Sequence, residues 1–219
     1  MKGRMFFVGR DQETNRIIRL IERNNNIIMT GKFGIGRTSL IRHVADITQG
    51  RWRFIFVDFS QTPAKACQDM LPQFLSEKEF AYRRNKKYKS NRFLVVNLNP
   101  EDNRQLVIAI DNIGKLSHQK LALLRTLAWE KKFRFVAILE NFLPEKDFNL
   151  LRLGLLPTQI ITLQHLNLPS TVKLIRHLSE KYHFNWDDRQ IKLFASITQG
   201  YPLGIMELVN RKLEGQCRP

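Results

Sequence analysis

Apolar residues along this chain follow two rhythms. Ile17, Ile18, Leu20 and Ile21 recur at helical spacing behind Asp11, a good N-cap. They predict a helix that stops at the Asn24-Asn25-Asn26 run. Ile27 to Thr30 is a short continuous apolar run, the mark of a buried strand, and Thr38 to Ile47 returns to helical character. Arg53 to Ser60, rich in aromatic and β-branched residues, predicts a second strand. Thr62-Pro63 then supplies an N-cap and a proline at the first helical position, for a helix running to about Leu75. Leu106 to Asp111, Phe133 to Leu139 and Gln159 to Leu163 read as further strands. Ser117 to Trp129 reads as a helix, and a short helix-like segment follows Pro144.

Buried strands alternating with helices predict an α/β fold built on a mainly parallel, five-stranded sheet. From Leu168-Pro169-Ser170 onward the pattern is purely helical: Ser170 to Tyr182, Asp187 to Ile197 and Leu203 to Leu213. Gly200-Tyr201-Pro202 stops one helix and starts the next. The expected organisation is an α/β core over residues 1–166 and a small helical lid over residues 167–219.

Within this pattern the turn after the first strand carries chemistry. Gly31, Gly36, Arg37 and Thr38 have the spacing of the phosphate-binding loop G-x-x-x-x-G-K-S/T, with Arg37 in the lysine position. Glycines let backbone N–H groups curl round phosphate oxygens, and the following helix offers unpaired donors and partial positive charge. On this reading Gly34, Ile35, Gly36, Arg37, Thr38 and Ser39 hold the phosphates of a nucleotide, and the Thr38 hydroxyl binds Mg²⁺. The bland alternative is a glycine-rich turn with no ligand. Asp111 ends a strand where ligands of open α/β sheets bind, so its carboxylate can hold Mg²⁺ or simply cap a turn. Asn112 follows, where a hydrolase often carries a water-activating Glu, and an amide cannot act as a base. Asn141, at the tip of the Phe133–Leu139 strand, either senses the terminal phosphate or starts a turn. Arg152 either reaches a neighbouring subunit's phosphate or is an ordinary surface residue. The five histidines show no metal-ligand spacing.

Composition adds a partner class. Of 219 residues 43% are hydrophobic, enough for a core, while the formal net charge is +16. Such a charge points to polyanions. Between the second and third strands, Arg83, Arg84, Lys86, Lys87, Lys89 and Arg92 crowd together around Tyr82 and Tyr88. Basic groups neutralise phosphates and aromatic rings stack on bases, so the segment is a candidate DNA contact; otherwise it is a solvated insertion. Cys67 and Cys217 are far apart and match no redox or metal spacing. No apolar stretch approaches the ~20 residues of a membrane span, and no leader pattern opens the chain. A soluble cytoplasmic protein is expected.

In this order, Val8-Gly9-Arg10, the Gly31–Thr38 loop, Leu106–Asp111, Asn141 and Gly200-Tyr201-Pro202 resemble the AAA+/STAND group of P-loop ATPases. The resemblance implies that Val8, Gly9 and Arg10 lie by the adenine, that Pro202 of the lid closes over the base, and that Arg152 is an inter-subunit finger. Little beyond core and lid, with a basic segment between the second and third strands, is similar to initiator-type and transposon-type members that face DNA. The function so implied is an ATP-binding, DNA-binding homo-oligomer that recruits protein partners of DNA processing, with weak or absent hydrolysis. The alternative is a STAND-like signalling or scaffold switch without nucleic acid.

Overall fold

The computed structural model describes residues 7–74, 92, 95 and 104–216. Its strands are β1 (Asn26–Thr30), β2 (Trp52–Asp58), β3 (Gln105–Ile113), β4 (Phe133–Leu139) and β5 (Thr158–Thr162). All pair in parallel, in the order β2-β3-β4-β1-β5, as the alternation of strands and helices predicts. The helices on the sheet are α1 (Asp11–Glu22), α2 (Arg37–Ile47), α3 (Pro63–Met70), α4 (His118–Trp129) and α5 (Glu145–Gly154). They cover both faces. Along β1, Ile27 and Met29 pack with Ile17, Ile21, Leu40 and Val44 of α1 and α2. Ile28, pointing the other way, joins Leu123, Leu124 and Leu151 of α4 and α5.

Three more helices follow: α6 (Leu168–Lys181), α7 (Asp188–Thr198) and α8 (Pro202–Gln216). They bury a cluster of their own, made of Ile175, Leu178, Phe184, Ile191, Ala195, Ile205 and Val209. Asn167 caps α6 by accepting from Ser170 N–H, and Asp187 with Gln190 forms a capping box on α7. The Leu166 N–H donates to the Gly200 carbonyl at 2.9 Å, so the chain enters the helical unit beside the place where α8 begins. Among the described residues no helix is long and apolar enough to cross a membrane.

Element ends differ from expectation in ways with local causes. Asp11 is not the N-cap of α1: Arg10 holds that position without a side-chain cap, and Asp11 and Glu13 complement the helix dipole from the first turn. The third helix stops at Met70, and Leu71–Gln73 form one 3₁₀ turn, because Pro72 has no N–H with which to continue. Strand β3 runs on to Ile113 through a register shift after Ile110, which carries Asp111 and Asn112 across the strand end.

Candidate functional site

Strand β1 feeds directly into the loop at Gly31. Gly36 is the N-cap of α2, with a left-handed backbone (φ +92°) and no side chain to cap the helix, so the first N–H groups of α2 lack a side-chain partner. A Cβ built on Gly36 meets nothing within 4 Å: this is the open side of the loop. At Gly34 (φ +73°) a Cβ would stand 2.5 Å from Leu203 Cβ in the first turn of α8. Gly36 borders open space, and Gly34 admits the first turn of α8. Tyr201 strengthens the second contact by donating its hydroxyl to the Phe33 carbonyl at 2.5 Å.

Thr38, in the first turn of α2, donates from Oγ1 to Asp111 Oδ2 at 2.8 Å. The other Asp111 oxygen accepts the Asn112 N–H at 2.9 Å. Asn112 itself has a left-handed backbone (φ +58°), and its amide donates to Asp58 Oδ1 at 3.1 Å. Asp58 lies beside Asp111 in strand register. Partial burial raises the Asp58 pKa, but hydrogen bonds from Ser60, Asn112 and Gln61 together outweigh it and hold the carboxyl below its ordinary value. Lys120 donates to the Phe59 carbonyl, and desolvation lowers its pKa against the pull of Asp58.

Arg37 is only 6% exposed. Its Nη2 pairs with Glu140 Oε2 at 3.3 Å, while Nη1 is buried without a hydrogen-bond partner. Glu140 directly follows strand β4 and precedes Asn141. With the Asn141 amide oriented to suit its neighbours, it donates to the Gly31 carbonyl and accepts the Phe33 N–H at 3.2 Å. The tip of β4 is therefore tied to the loop through two successive side chains.

The remaining predicted residues lie in the loop, beside it and away from it. Ile35 and Ser39 belong to the loop and the first turn of α2, with Ile35 buried. Arg10 is 5% exposed and binds the Ile35 carbonyl at 3.3 Å, the Gln164 carbonyl at 2.6 Å and Glu13 at 3.0 Å, so its charge is engaged in fixing the loop to the segment after β5. Val8 precedes it, and Gly9 allows close approach of Ser170 at the start of α6. Pro202 opens α8 beside Tyr201. Arg152 stands exposed in the last turn of α5. Arg83, Arg84, Lys86, Lys87 and Lys89 lie outside the described residues. Arg92 is half-buried and donates to Thr126 Oγ1 of α4.

Sequence reasoning did not select Glu140, Asp58, Tyr201 or Leu203. Glu140 was visible as a second polar residue at a strand tip. Tyr201 is the middle residue of the Gly200-Tyr201-Pro202 turn, where spacing alone assigns its hydroxyl no partner.

The arrangement fits a phosphate chain and a divalent cation: open space over Gly36, uncapped N–H groups, an unpartnered buried guanidinium nitrogen, and a hydroxyl paired with a carboxylate. Phosphates would lie over Gly34–Ser39, and Mg²⁺ would be held by Thr38 and Asp111, supplying charge neutralisation there.

Fold and site together define a P-loop nucleotide-binding module of the AAA+/STAND superfamily. The family model for Novel STAND NTPase 1 matches residues 2–153, and the chain belongs to that family. Among solved structures, a STAND protein with a tetratricopeptide repeat sensor from Pyrococcus horikoshii is 22% identical over 92% of this chain and 29% of its own, with a TM-score of 0.53. Cdc6p from Pyrobaculum aerophilum is 11% identical over 90% of this chain and 59% of its own, at 0.64. The Thermotoga maritima RuvB Holliday junction branch migration motor is 16% identical over 94% of this chain and 62% of its own, at 0.58. These likenesses are of fold, and this chain spans less than two thirds of each of those proteins. No curated protein matches in sequence.

Proposed function

We propose that this chain is a nucleotide-held switch that binds MgATP between core and lid, turns it over slowly or not at all, and in that state assembles on DNA and recruits protein partners. The observation that carries the reading is the lid's seat on the phosphate loop: Leu203 packs on Gly34 and the Tyr201 hydroxyl bonds the Phe33 carbonyl. A ligand that settles into the loop alters the surface on which α8 rests, so occupancy and lid position are linked by contact.

Slow turnover is supported by Asn112. An amide stands where a base is needed, and its hydrogen bond to Asp58 fixes it there. DNA as the partner is supported by the +16 charge. The Arg83–Lys89 cluster and Arg152 are proposed contacts to DNA and to a neighbouring subunit, respectively. The likeness to the RuvB Holliday junction branch migration motor is one of fold alone.

The test is sizing of the protein with and without MgATP and duplex DNA, at rising salt. Assembly that requires both ligands, weakens steeply with salt and falls again when Arg83, Arg84, Lys86 and Lys87 become Ala supports the reading. MgATP binding with no assembly and no salt-sensitive DNA affinity favours a signalling switch instead. Rapid ATP turnover overturns the slow-hydrolysis part.

A further inference from the structure

We infer that Glu140 sets the nucleotide affinity of this site by latching Arg37, and that a bound phosphate must displace it; the inference rests on nucleotide binding at the loop. A lysine at position 37 would offer a compact ammonium. Arginine offers a planar fork that a carboxylate can grip and a phosphate can grip equally well. Here Glu140 Oε2 has taken Nη2 at 3.3 Å. Arg37 is 6% exposed and the Glu140 side chain 16%, so the pair is largely shielded from water. Nη1, on the same guanidinium, is buried with no partner. A buried donor without an acceptor is unfavourable, so the latched arrangement is half-satisfied.

The two anions compete for one cation. Glu140 is fixed at the tip of β4, where its N–H donates to the Ile113 carbonyl at 3.1 Å and its carbonyl accepts from Leu143 at 3.2 Å. Arg37 has the long, pliable stem, so exchange proceeds by the guanidinium turning from carboxylate to phosphate. The other acids nearby are committed elsewhere: Asp111 to Thr38 and the Asn112 N–H, Asp58 to Ser60 and Asn112. Glu145 lines the same 330 Å³ cavity as Glu140 but is exposed, and it serves as a control for charge alone.

The experiment is calorimetric titration of the full chain with MgATP and MgADP, with thermal melts as a check on folding. Glu140→Gln should bind both nucleotides roughly three- to tenfold tighter than wild type. Glu140→Asp, which keeps the charge but shortens the reach, should gain in the same direction. Glu145→Gln should change affinity by less than about twofold. In an Arg37→Ala background the gain from Glu140→Gln should shrink, because no guanidinium remains to be released. Affinity unchanged or weakened in Glu140→Gln overturns the latch. An equal gain in both backgrounds also overturns it, in favour of plain repulsion between carboxylate and phosphate. Wild type that binds neither nucleotide would defeat the nucleotide reading itself.

Discussion

Thr38 Oγ1 and Asp111 Oδ2 stand 2.8 Å apart, joining the first turn of α2 to the end of β3. The same two oxygens would hold Mg²⁺ if the cation binds here. Removing either should therefore weaken nucleotide binding only where Mg²⁺ contributes. Thr38→Val and Asp111→Asn are expected to lose at least about tenfold in MgATP affinity. In EDTA the variants should approach wild type. Titrations with and without Mg²⁺ decide it, and an equal loss in both conditions would assign the pair to structure.

Gly34 and Gly36 separate stability from binding. Gly36→Ala adds a Cβ into open space, so its cost is the strained φ of +92° alone, about 1 kcal/mol. That Cβ would occupy the open side of the loop, and nucleotide binding should be lost. Gly34→Ala drives a Cβ against Leu203 and should cost more, about 2–3 kcal/mol. Urea melts set beside binding titrations would show whether the two effects part in this way.

Tyr201→Phe removes the hydroxyl that reaches the Phe33 carbonyl and leaves the ring stacked on His165. The expected loss is about 0.5–1.5 kcal/mol in stability. Hydrogen exchange should quicken in the loop and at the start of α8 and stay unchanged in β3. Uniform quickening would mean that the contact is not local to the lid.

Asp58 gives the fold a pH dependence of known sign. Its carboxyl is held below the ordinary value of 3.8 in the folded chain, so the charged form is favoured by folding. That contribution is present above 3.8 and disappears as pH falls through the lower, folded value. Asp58→Asn should be less stable than wild type at neutral pH, with the gap closing in acid. A gap that widens in acid would contradict the assignment.

How much of this could be read from the sequence depended on how local the cause was. Strands such as Ile27–Thr30 and Phe133–Leu139 announced themselves because a buried parallel strand is a continuous apolar run, and Thr62-Pro63 marked the true start of α3. The loop was readable because its glycines are required at fixed spacing. Glu140 was not, since its role arises from a pairing across 103 positions of chain that no local pattern encodes. Arg10 shows the same limit. Its three bonds join α1, the loop and the segment after β5, and only the fold brings these together. The start of α1 differs from expectation for a similar reason: Arg10, bonded inward, is the N-cap, and Asp11 lies inside the helix.

One backbone hydrogen bond has a consequence beyond the sheet. The Leu163 N–H donates to the Thr30 carbonyl at 2.9 Å, and the Leu163 carbonyl lies 3.0 Å from where a Cβ on Gly31 would be. The chain leaving β5 for the lid is thus spliced onto the residue pair from which the phosphate loop departs. Loop and lid share a root. A substitution there would act like damage to a common axle, upsetting the grip on a ligand and the posture of the helices in the same stroke.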